Sequence, residues 1–196
     1  RLMNVTTMSD EAQGSFQKDP LFDNANTTYT YGDELFGTYS DPYKGIRSCN
    51  DFLAQLKTAS LDEAENKRLT AEVRFIRAYH YFTLVKRYGG VPIIAESQIY
   101  EGPDNLEDLQ TPRSTEEETY RFIITECQEA AKDLPKTNEA SAKYRANQGT
   151  ALALCSRAAL YAGSIAKYGK VQLNGVVGIP SGKANEFFKI AYDVSK

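Results

Sequence analysis

The chain has 196 residues, of which 23 are lysine or arginine and 26 are aspartate or glutamate, giving a formal net charge of −3. This balance gives no electrostatic reason to expect a nucleic acid or an anionic membrane surface as a partner. Hydrophobic residues make up 41% of the chain and charged residues 25%, as in ordinary soluble domains, and no apolar run approaches the ~20 residues that span a bilayer.

Two amphipathic helices, joined by a very short turn, are predicted before residue 90. Asp41 and Pro42 suit an N-cap followed by a proline in the first turn, and apolar residues then recur every three or four positions to about Lys57. Ser60 and Glu63 have the spacing of a capping box, which predicts the start of the second helix. We therefore expect a helical hairpin.

The second helix ends in a Gly-Gly-Val-Pro motif at residues 89–92. The glycines supply the left-handed conformation that a helix C-cap needs, and Pro92 prevents continuation, so the chain leaves Tyr88 as an extended segment to Ile94. Two apolar stripes lie on roughly opposite faces of this helix, which predicts neighbours on both sides. The stripes are Leu69, Val73, Ile76 and Leu84 on one face, and Ala71, Phe75, Ala78, Phe82 and Val85 on the other.

A polar flank lies between the two stripes. It carries Arg74, Arg77, Tyr81 and Tyr88, whose long side chains can cover apolar surface and still reach water. We expect the arginines to brace loops or neighbouring helices through planar hydrogen bonds rather than to bind a ligand. His80 is the only histidine, so it lacks the partners of a catalytic triad or metal site and is predicted to be a core residue.

The next two helices follow a polar, turn-rich loop. Ser114 and Glu117 form a second capping box, ahead of a helix that Pro135 terminates. The acidic run 116–118 suits the positive end of this helix and is predicted to be solvated. A polar connection leads to a helix over 149–166, in which alanine and glycine let neighbouring backbones approach closely.

The last part of the chain predicts a turn and a final helix. The glycine- and valine-rich segment 170–182 suits a loose hairpin, and its Asn-Gly-Val-Val-Gly run has no phosphate-loop pattern. A helical pattern returns over 184–194.

Helix pairs with small residues at their crossings are typical of tetratricopeptide-like solenoids, although no clean period of about 34 residues is present. The prediction is an all-α fold of irregularly stacked helical hairpins.

The cysteines indicate which kinds of chemical site to expect, and the chain ends indicate whether the sequence is a whole protein. Cys49, Cys127 and Cys155 are widely spaced at apolar positions of helical patterns, so we expect buried thiols. No Cys-X-X-Cys pair or Cys/His cluster is present, so the sequence predicts no zinc or other metal site, no redox motif and no cofactor. Because the chain begins at Arg1 and stops within a helical pattern, we expect a piece of a longer protein whose targeting signal lies outside it.

Five sequence blocks cover most of the chain from residue 43 onward. They are YKGIRSCNDFL from Tyr43, AEVRFIRAYHYFTLVKRYGGVPII from Ala71, RSTEEETYRFIITECQEAAKDLP from Arg113, ANQGTALALCSRAALYAG from Ala146, and ANEFFKIAYDVSK at the end. In this order the blocks resemble the SusD/RagB family, the surface glycan-binding lipoproteins of Bacteroidetes. The second block is the most specific of the five.

The resemblance implies a right-handed, tetratricopeptide-like scaffold of antiparallel helix pairs with long loops, and a protein that is not an enzyme. Members of the family capture glycans at the cell surface and pass them to a TonB-dependent outer-membrane transporter of the SusC type. A lipid anchor holds them to the outer membrane. Because members are considerably longer, the resemblance predicts that residues 1–196 form one incomplete amino-terminal helical domain, without the acylated cysteine upstream and the C-terminal half downstream.

The candidate ligand site is an aromatic and polar segment over residues 22–43. It holds six aromatic residues among aspartate, asparagine and glutamate side chains. Aromatic faces cover the C–H faces of a sugar ring, while carboxylates and amides hydrogen-bond its hydroxyls. In the family, the segment just before the first block contributes to the glycan site, which here points to Tyr29, Tyr31, Tyr39, Asp41 and Tyr43.

Two alternatives stay open at this stage. One is that these tyrosines are half-buried anchors that pin an irregular segment to the helices, because tyrosine commonly buries its ring and keeps its hydroxyl wet. The other is that the helical repeats form a protein-interaction scaffold without a glycan site of their own. A hydrolase is disfavoured, because no carboxylate pair can be placed at an active-site separation and the single histidine lacks partners.

Overall fold

The computed structural model describes residues 39–196, and over this range the protein is all-helical, as predicted. The α-helices are α1 (Ser40–Leu56), α2 (Glu63–Tyr88), α3 (Glu116–Asp133), α4 (Gln148–Tyr168) and α5 (Ala184–Asp193). Short 3-10 turns lie in the connections at Pro103–Asn105, Ala140–Ala142 and Ser181–Lys183. None of these helices is long and apolar enough to cross a lipid bilayer. The prediction of a single domain over 1–196 extends beyond the described range and stays a prediction.

The helices pack in chain order, with α2 against α3, α3 against α4, and α4 against α5. A shared core runs through them, and α4 contributes mostly small side chains to it, which lets its neighbours approach closely. The largest fully buried side chains are Tyr81, Tyr120, Phe187, Ile46, Leu84, Ile123 and Ile179. The predicted solenoid-like stacking of successive helices is therefore present in the described residues.

The helices α1 and α2 form the predicted hairpin. The Asn66 side-chain amide donates to the Leu56 carbonyl at 3.1 Å, which ties the first turn of α2 to the end of α1. Further along, Gly45 of α1 lies so close to His80 of α2 that a Cβ atom there would overlap the imidazole ring. His80 is half-buried rather than fully in the core, and burial lowers its pKa. Its role is therefore in packing the hairpin.

The predicted capping box of α2 was wrong by two positions. Ser60 and Glu63 are exposed, and the cap is Asp62, whose carboxylate accepts the Glu65 backbone N–H at 2.9 Å. Ser60 and Asp62 are each followed three residues later by a glutamate, so the spacing of a capping box does not distinguish between them. A carboxylate interacts more strongly than a hydroxyl with the positive end of a helix, which favours Asp62.

The predicted capping box of α3 was wrong by one position, with Thr115 and Glu118 in place of Ser114 and Glu117. The Thr115 hydroxyl accepts the Glu118 N–H at 3.1 Å, and the Glu118 carboxylate accepts the Thr115 N–H at 2.8 Å. Ser114 is unsuited to the cap because its own N–H donates to the Val91 carbonyl at 3.2 Å. A tertiary contact therefore sets the start of this helix.

The two-stripe prediction for α2 is confirmed on one face and only in part on the other, where Leu84 is fully buried. Ala78, Phe82 and Val85 are buried, but Ile76 on the opposite stripe exposes 44% of its surface within the described structure. Arg77 and Tyr81 were expected on a water-reaching flank and are instead buried.

The physical reason is the position of α3. The Tyr81 ring packs edge-on against Phe122 of α3, with 5.0 Å between ring centroids, and Arg77 pairs with Glu126 of the same helix. The face of α2 that meets α3 is therefore centred on the predicted flank. An amphipathic pattern ranks faces by hydrophobicity, so it undervalues a face that is buried through a charge pair.

The Gly-Gly-Val-Pro stop ends α2 as predicted, but the two glycines have different roles. Gly89 has a φ of 69°, in the region that favours glycine, and its N–H donates to the Val85 carbonyl at 3.0 Å. Gly90 does not have a positive φ. Glycine is needed at this position because the Cβ atom of any other residue would overlap the backbone of Ser114. The chain then continues over residues 91–98, which we call the extended segment, without helix and without a strand partner among the described residues.

The segment after α4 contains the predicted turn. Asn174 and Gly175 have φ values of 48° and 76°, and the Val176 N–H donates to the Leu173 carbonyl at 2.9 Å, as in a type I′ turn. The turn packs on the start of α3. Glu116 was expected to be solvated, but it is buried against this turn. Its carboxylate accepts the Gly178 backbone N–H at 2.6 Å, and its own backbone N–H donates to the Gly175 carbonyl at 2.8 Å.

The three cysteines are buried and free, as predicted. Burial raises the pKa of the Cys155 thiol to about 11 and also raises the pKa of Cys49 and Cys127. A thiol reacts as its thiolate, so these side chains behave as small apolar core residues.

Candidate functional site

The predicted ligand residues fall partly outside the described range. Tyr29 and Tyr31 lie among residues that the structure does not describe. Tyr39, just ahead of α1, exposes 40% of its surface. Asp41 lies in the first turn of α1, where a hydrogen bond from Lys44 at 2.9 Å lowers the pKa of its exposed carboxyl. Tyr43, in the same helix, is half-buried. Ligand binding by all five residues stays a prediction.

Tyr43 is anchored at both its ring and its hydroxyl. The hydroxyl donates to the Pro92 carbonyl at 2.7 Å, and the ring lies edge-on to Tyr81, with 6.4 Å between centroids. These contacts fit the anchoring alternative for this residue. Tyr43 also lines a groove beside α1, so its ring is accessible from one side. Anchoring and ligand contact are therefore compatible here, because a fixed ring is a rigid platform.

The extended segment 91–98 is held against α1 and α2 by side chains. The Ile94 N–H donates to the Tyr81 hydroxyl at 2.7 Å. The Asn50 amide donates to the carbonyls of Ile94 at 2.9 Å and Glu96 at 3.1 Å. Buried backbone groups need hydrogen-bond partners. Here the Asn50 side-chain amide is the donor to two carbonyls that the N–H groups of a neighbouring strand would satisfy in a sheet.

A buried charge network fixes Asn50 in turn. Arg77 donates to the Asn50 side-chain oxygen at 2.8 Å, to the Ala95 carbonyl at 2.7 Å, and to one Glu126 carboxylate oxygen at 2.6 and 2.9 Å. Arg74 donates to the other Glu126 oxygen at 2.8 Å. One network thus joins α1, α2, α3 and the extended segment. The predicted bracing role of the two arginines is confirmed.

Sequence reasoning missed Asn50 and Glu126. Each is a polar residue at a position that helical periodicity assigns to a buried face, one beside Cys49 and the other beside Cys127. That mismatch was the available signal, because a polar group on a buried face needs a dedicated partner. The sequence does not show which residue that partner is.

A groove of about 200 Å³ lies between α1 and the extended segment, and we call it the α1 groove. It is lined by Tyr43, Ile46, Arg47 and Asn50 of α1 and by Ile94, Glu96, Ser97 and Gln98 of the extended segment. Its walls are mostly apolar, and charged side chains lie at its mouth. Ser97 donates to the Asp51 carboxylate, which fixes that end of the extended segment to α1 and lowers the pKa of Asp51.

No group of three or more histidine, cysteine, aspartate or glutamate side chains that could hold a metal ion occurs between residues 39 and 196.

Comparison with known protein families shows which family the chain belongs to. Residues 2–160 match the model of a SusD-like family described as "Starch-binding associating with outer membrane". The chain belongs to the SusD-like family. The resemblance predicted from the five sequence blocks is therefore confirmed, and so is the helical scaffold that it implied.

Relatives of this SusD-like chain are much longer than the chain itself. A SusD-like protein of Bacteroides ovatus is 27% identical over 128 residues, which are 64% of this chain and 22% of the relative. A SusD-like crystal structure from Bacteroides fragilis matches with 32% identity and a TM-score of 0.60, over 80% of this chain and 26% of its own. A laminarin-binding SusD-like protein matches with 30% identity and a TM-score of 0.61, over 73% of this chain and 30% of its own. The chain therefore spans less than a third of the length of these relatives.

Proposed function

We propose that this SusD-like chain is the amino-terminal part of a protein that binds oligosaccharide or polysaccharide at the bacterial cell surface without cleaving it. The observation that carries the proposal is the family match over residues 2–160, whose description names starch binding and association with the outer membrane. The laminarin-binding relative supports a glycan as the class of ligand. We assign the ligand contacts of this chain to Tyr29, Tyr31, Tyr39, Asp41 and Tyr43.

The geometry of α1 supports this assignment. Tyr43 is bonded to Pro92, and Asn50 is bonded to the extended segment, so α1 is fixed to the rest of the scaffold. Tyr39 presents an exposed aromatic ring, and Asp41 presents an exposed carboxylate. Aromatic and carboxylate side chains on a rigid scaffold are what a sugar-binding surface requires.

Calorimetric titration of the full-length protein with soluble starch, laminarin and a panel of other polysaccharides tests the proposal. We expect saturable binding to at least one of them. Tyr39→Ala and Asp41→Ala should each weaken that binding by about tenfold, because each removes one contact worth more than ~1 kcal/mol. Tyr144→Ala is the matched control, since Tyr144 is 91% exposed in the connection between α3 and α4.

Two results would count against this proposal. Absence of binding across the whole panel would reject glycan capture. Release of new reducing ends from a bound glycan would instead show that the protein is an enzyme.

The proposal extends to delivery of the glycan to a TonB-dependent, SusC-type transporter, with the protein held at the outer membrane by a lipid anchor outside this chain. Association with the outer membrane in the family description supports this extension. We expect the full-length protein, purified by an affinity tag from detergent-solubilised membranes of its own organism, to carry a TonB-dependent barrel with it. Recovery of the protein alone, from the soluble fraction, would contradict the extension. Recovery with the barrel but without glycan binding would favour the protein-interaction scaffold.

A further inference from the structure

We infer that the α1 groove is a subsite that holds one sugar residue without an anionic group, as part of the bound glycan, with Arg47 and Glu96 as its hydrogen-bonding side chains. The inference rests on the proposed function and adds a site to the residues named there. It is carried by the size of the groove, by the unused hydrogen-bonding groups at its mouth, and by the separation of its two charges.

The size of the groove limits its occupant. Its volume of about 200 Å³ is below the roughly 300–1,000 Å³ of pockets that enclose drug-sized ligands. A single sugar ring is therefore the part of a glycan that fits, and the remaining sugar residues stay outside. Tyr43, Ile46 and Ile94 provide apolar walls for the C–H faces of that ring.

The mouth of the groove carries hydrogen-bonding groups that no described residue uses. Arg47 donates through Nε to Asp51 at 3.4 Å, and its two terminal amino groups have no acceptor between residues 39 and 196. Over the same range, neither the Glu96 carboxylate nor the Gln98 side-chain oxygen has a donor, while the Gln98 Nε2 atom is bonded to the Leu109 carbonyl. Sugar hydroxyls both donate and accept, so free donors and free acceptors at one mouth suit them.

The two charges at the mouth are kept apart by the structure. Arg47 and Glu96 line the same groove and have opposite charges, yet they form no ion pair with each other in the described structure. Asp51 holds the Arg47 guanidinium, and Asn50 holds the backbone of Glu96. No ion pair between Arg47 and Glu96 therefore closes the groove. With Asp51 beside Arg47, two carboxylates face one guanidinium at this end of the groove, which disfavours an anionic sugar.

Titration of full-length variants with soluble starch and laminarin tests the subsite. Arg47→Ala and Glu96→Ala should each weaken the affinity for whichever of these glycans binds by about tenfold, as expected for loss of a hydrogen bond to a charged group. Lys57→Ala and Glu107→Ala are charge-matched controls, because both residues are exposed and neither lines the groove. The controls should stay within about twofold of the wild type, and all four melting temperatures should be unchanged.

A second measurement tests the limit to one sugar residue. Contact with a single residue predicts the same loss of affinity for a short oligosaccharide that binds as for the whole polymer. A loss that grows with chain length would overturn the single-residue subsite. Wild-type affinity in both groove variants would overturn the subsite and leave the proposed function intact, whereas absence of wild-type binding across the whole polysaccharide panel would overturn both.

Discussion

Replacing Glu126 with glutamine is expected to lower the free energy of unfolding by about 3–5 kcal/mol, because it leaves a buried arginine without its counter-charge. Glu126 is 4% exposed and accepts hydrogen bonds from both Arg77 and Arg74. Arg77 also holds Asn50 and the Ala95 carbonyl, so its displacement would loosen α1 and the extended segment as well. Urea denaturation followed by circular dichroism at a helical wavelength measures the change.

Glu129→Gln is the matched control for this substitution. Glu129 lies on the same helix and pairs with Lys132 at 2.6 Å, but the pair is close to the surface. Its loss should cost less than about 0.5 kcal/mol. Equal effects of the two substitutions would show that the buried network contributes no more than a surface ion pair.

Gly90→Ala is expected to destabilise the protein by about 3 kcal/mol, at the upper end of overpacking effects. The new Cβ atom would overlap the Ser114 carbonyl and lie 2.6 Å from the Thr115 carbonyl carbon and 2.7 Å from the Glu116 nitrogen. These are backbone atoms that cannot rotate away. Their positions are also fixed, since the Glu116 N–H donates to Gly175 at 2.8 Å. The melting temperature and the urea midpoint report the loss.

Gly182→Ala is the control for the glycine substitution. A Cβ atom at Gly182 would meet nothing within 4 Å, and this glycine lacks a positive φ. Alanine should therefore be neutral there or stabilise by about 0.4–1 kcal/mol, by restricting the unfolded chain. A Gly90→Ala variant as stable as Gly182→Ala would mean that α2 and α3 separate easily at this crossing.

Most of the scaffold could be predicted from the sequence because its signals are local. Proline at the start of α1 and the Gly-Gly-Val-Pro stop act within one helical turn, and the stop agrees with the structure. The predicted N-cap of α1 was wrong, because the helix already begins at Ser40 and Asp41 lies inside its first turn. The cap of α3 required a contact with residue 91, which lies outside the local pattern. The buried face of α2 likewise depended on a pair between Arg77 and Glu126, which are 49 positions apart. Spacing within one helix does not carry such information.

The candidate site could be predicted only in part. Aromatic and acidic residue types pointed to the start of α1, and the structure adds that Tyr43 is fixed by Pro92 and Tyr81. The α1 groove could not be predicted, because Arg47 and Glu96 are brought to one cavity by the path of the chain after the helix stop. Nothing in their own sequence neighbourhoods marks either residue.

The extended segment 91–98 has a consequence for solubility. An extended chain with unpaired N–H and C=O groups can recruit other chains edge to edge, which is a common route to aggregation. In this segment helix side chains occupy much of the exposed backbone: Tyr43 bonds Pro92, Asn50 and Tyr81 bond Ile94, and Arg77 bonds Ala95. Within the described residues, the protein thereby carries an extended segment outside any sheet, with part of its backbone already occupied by helix side chains.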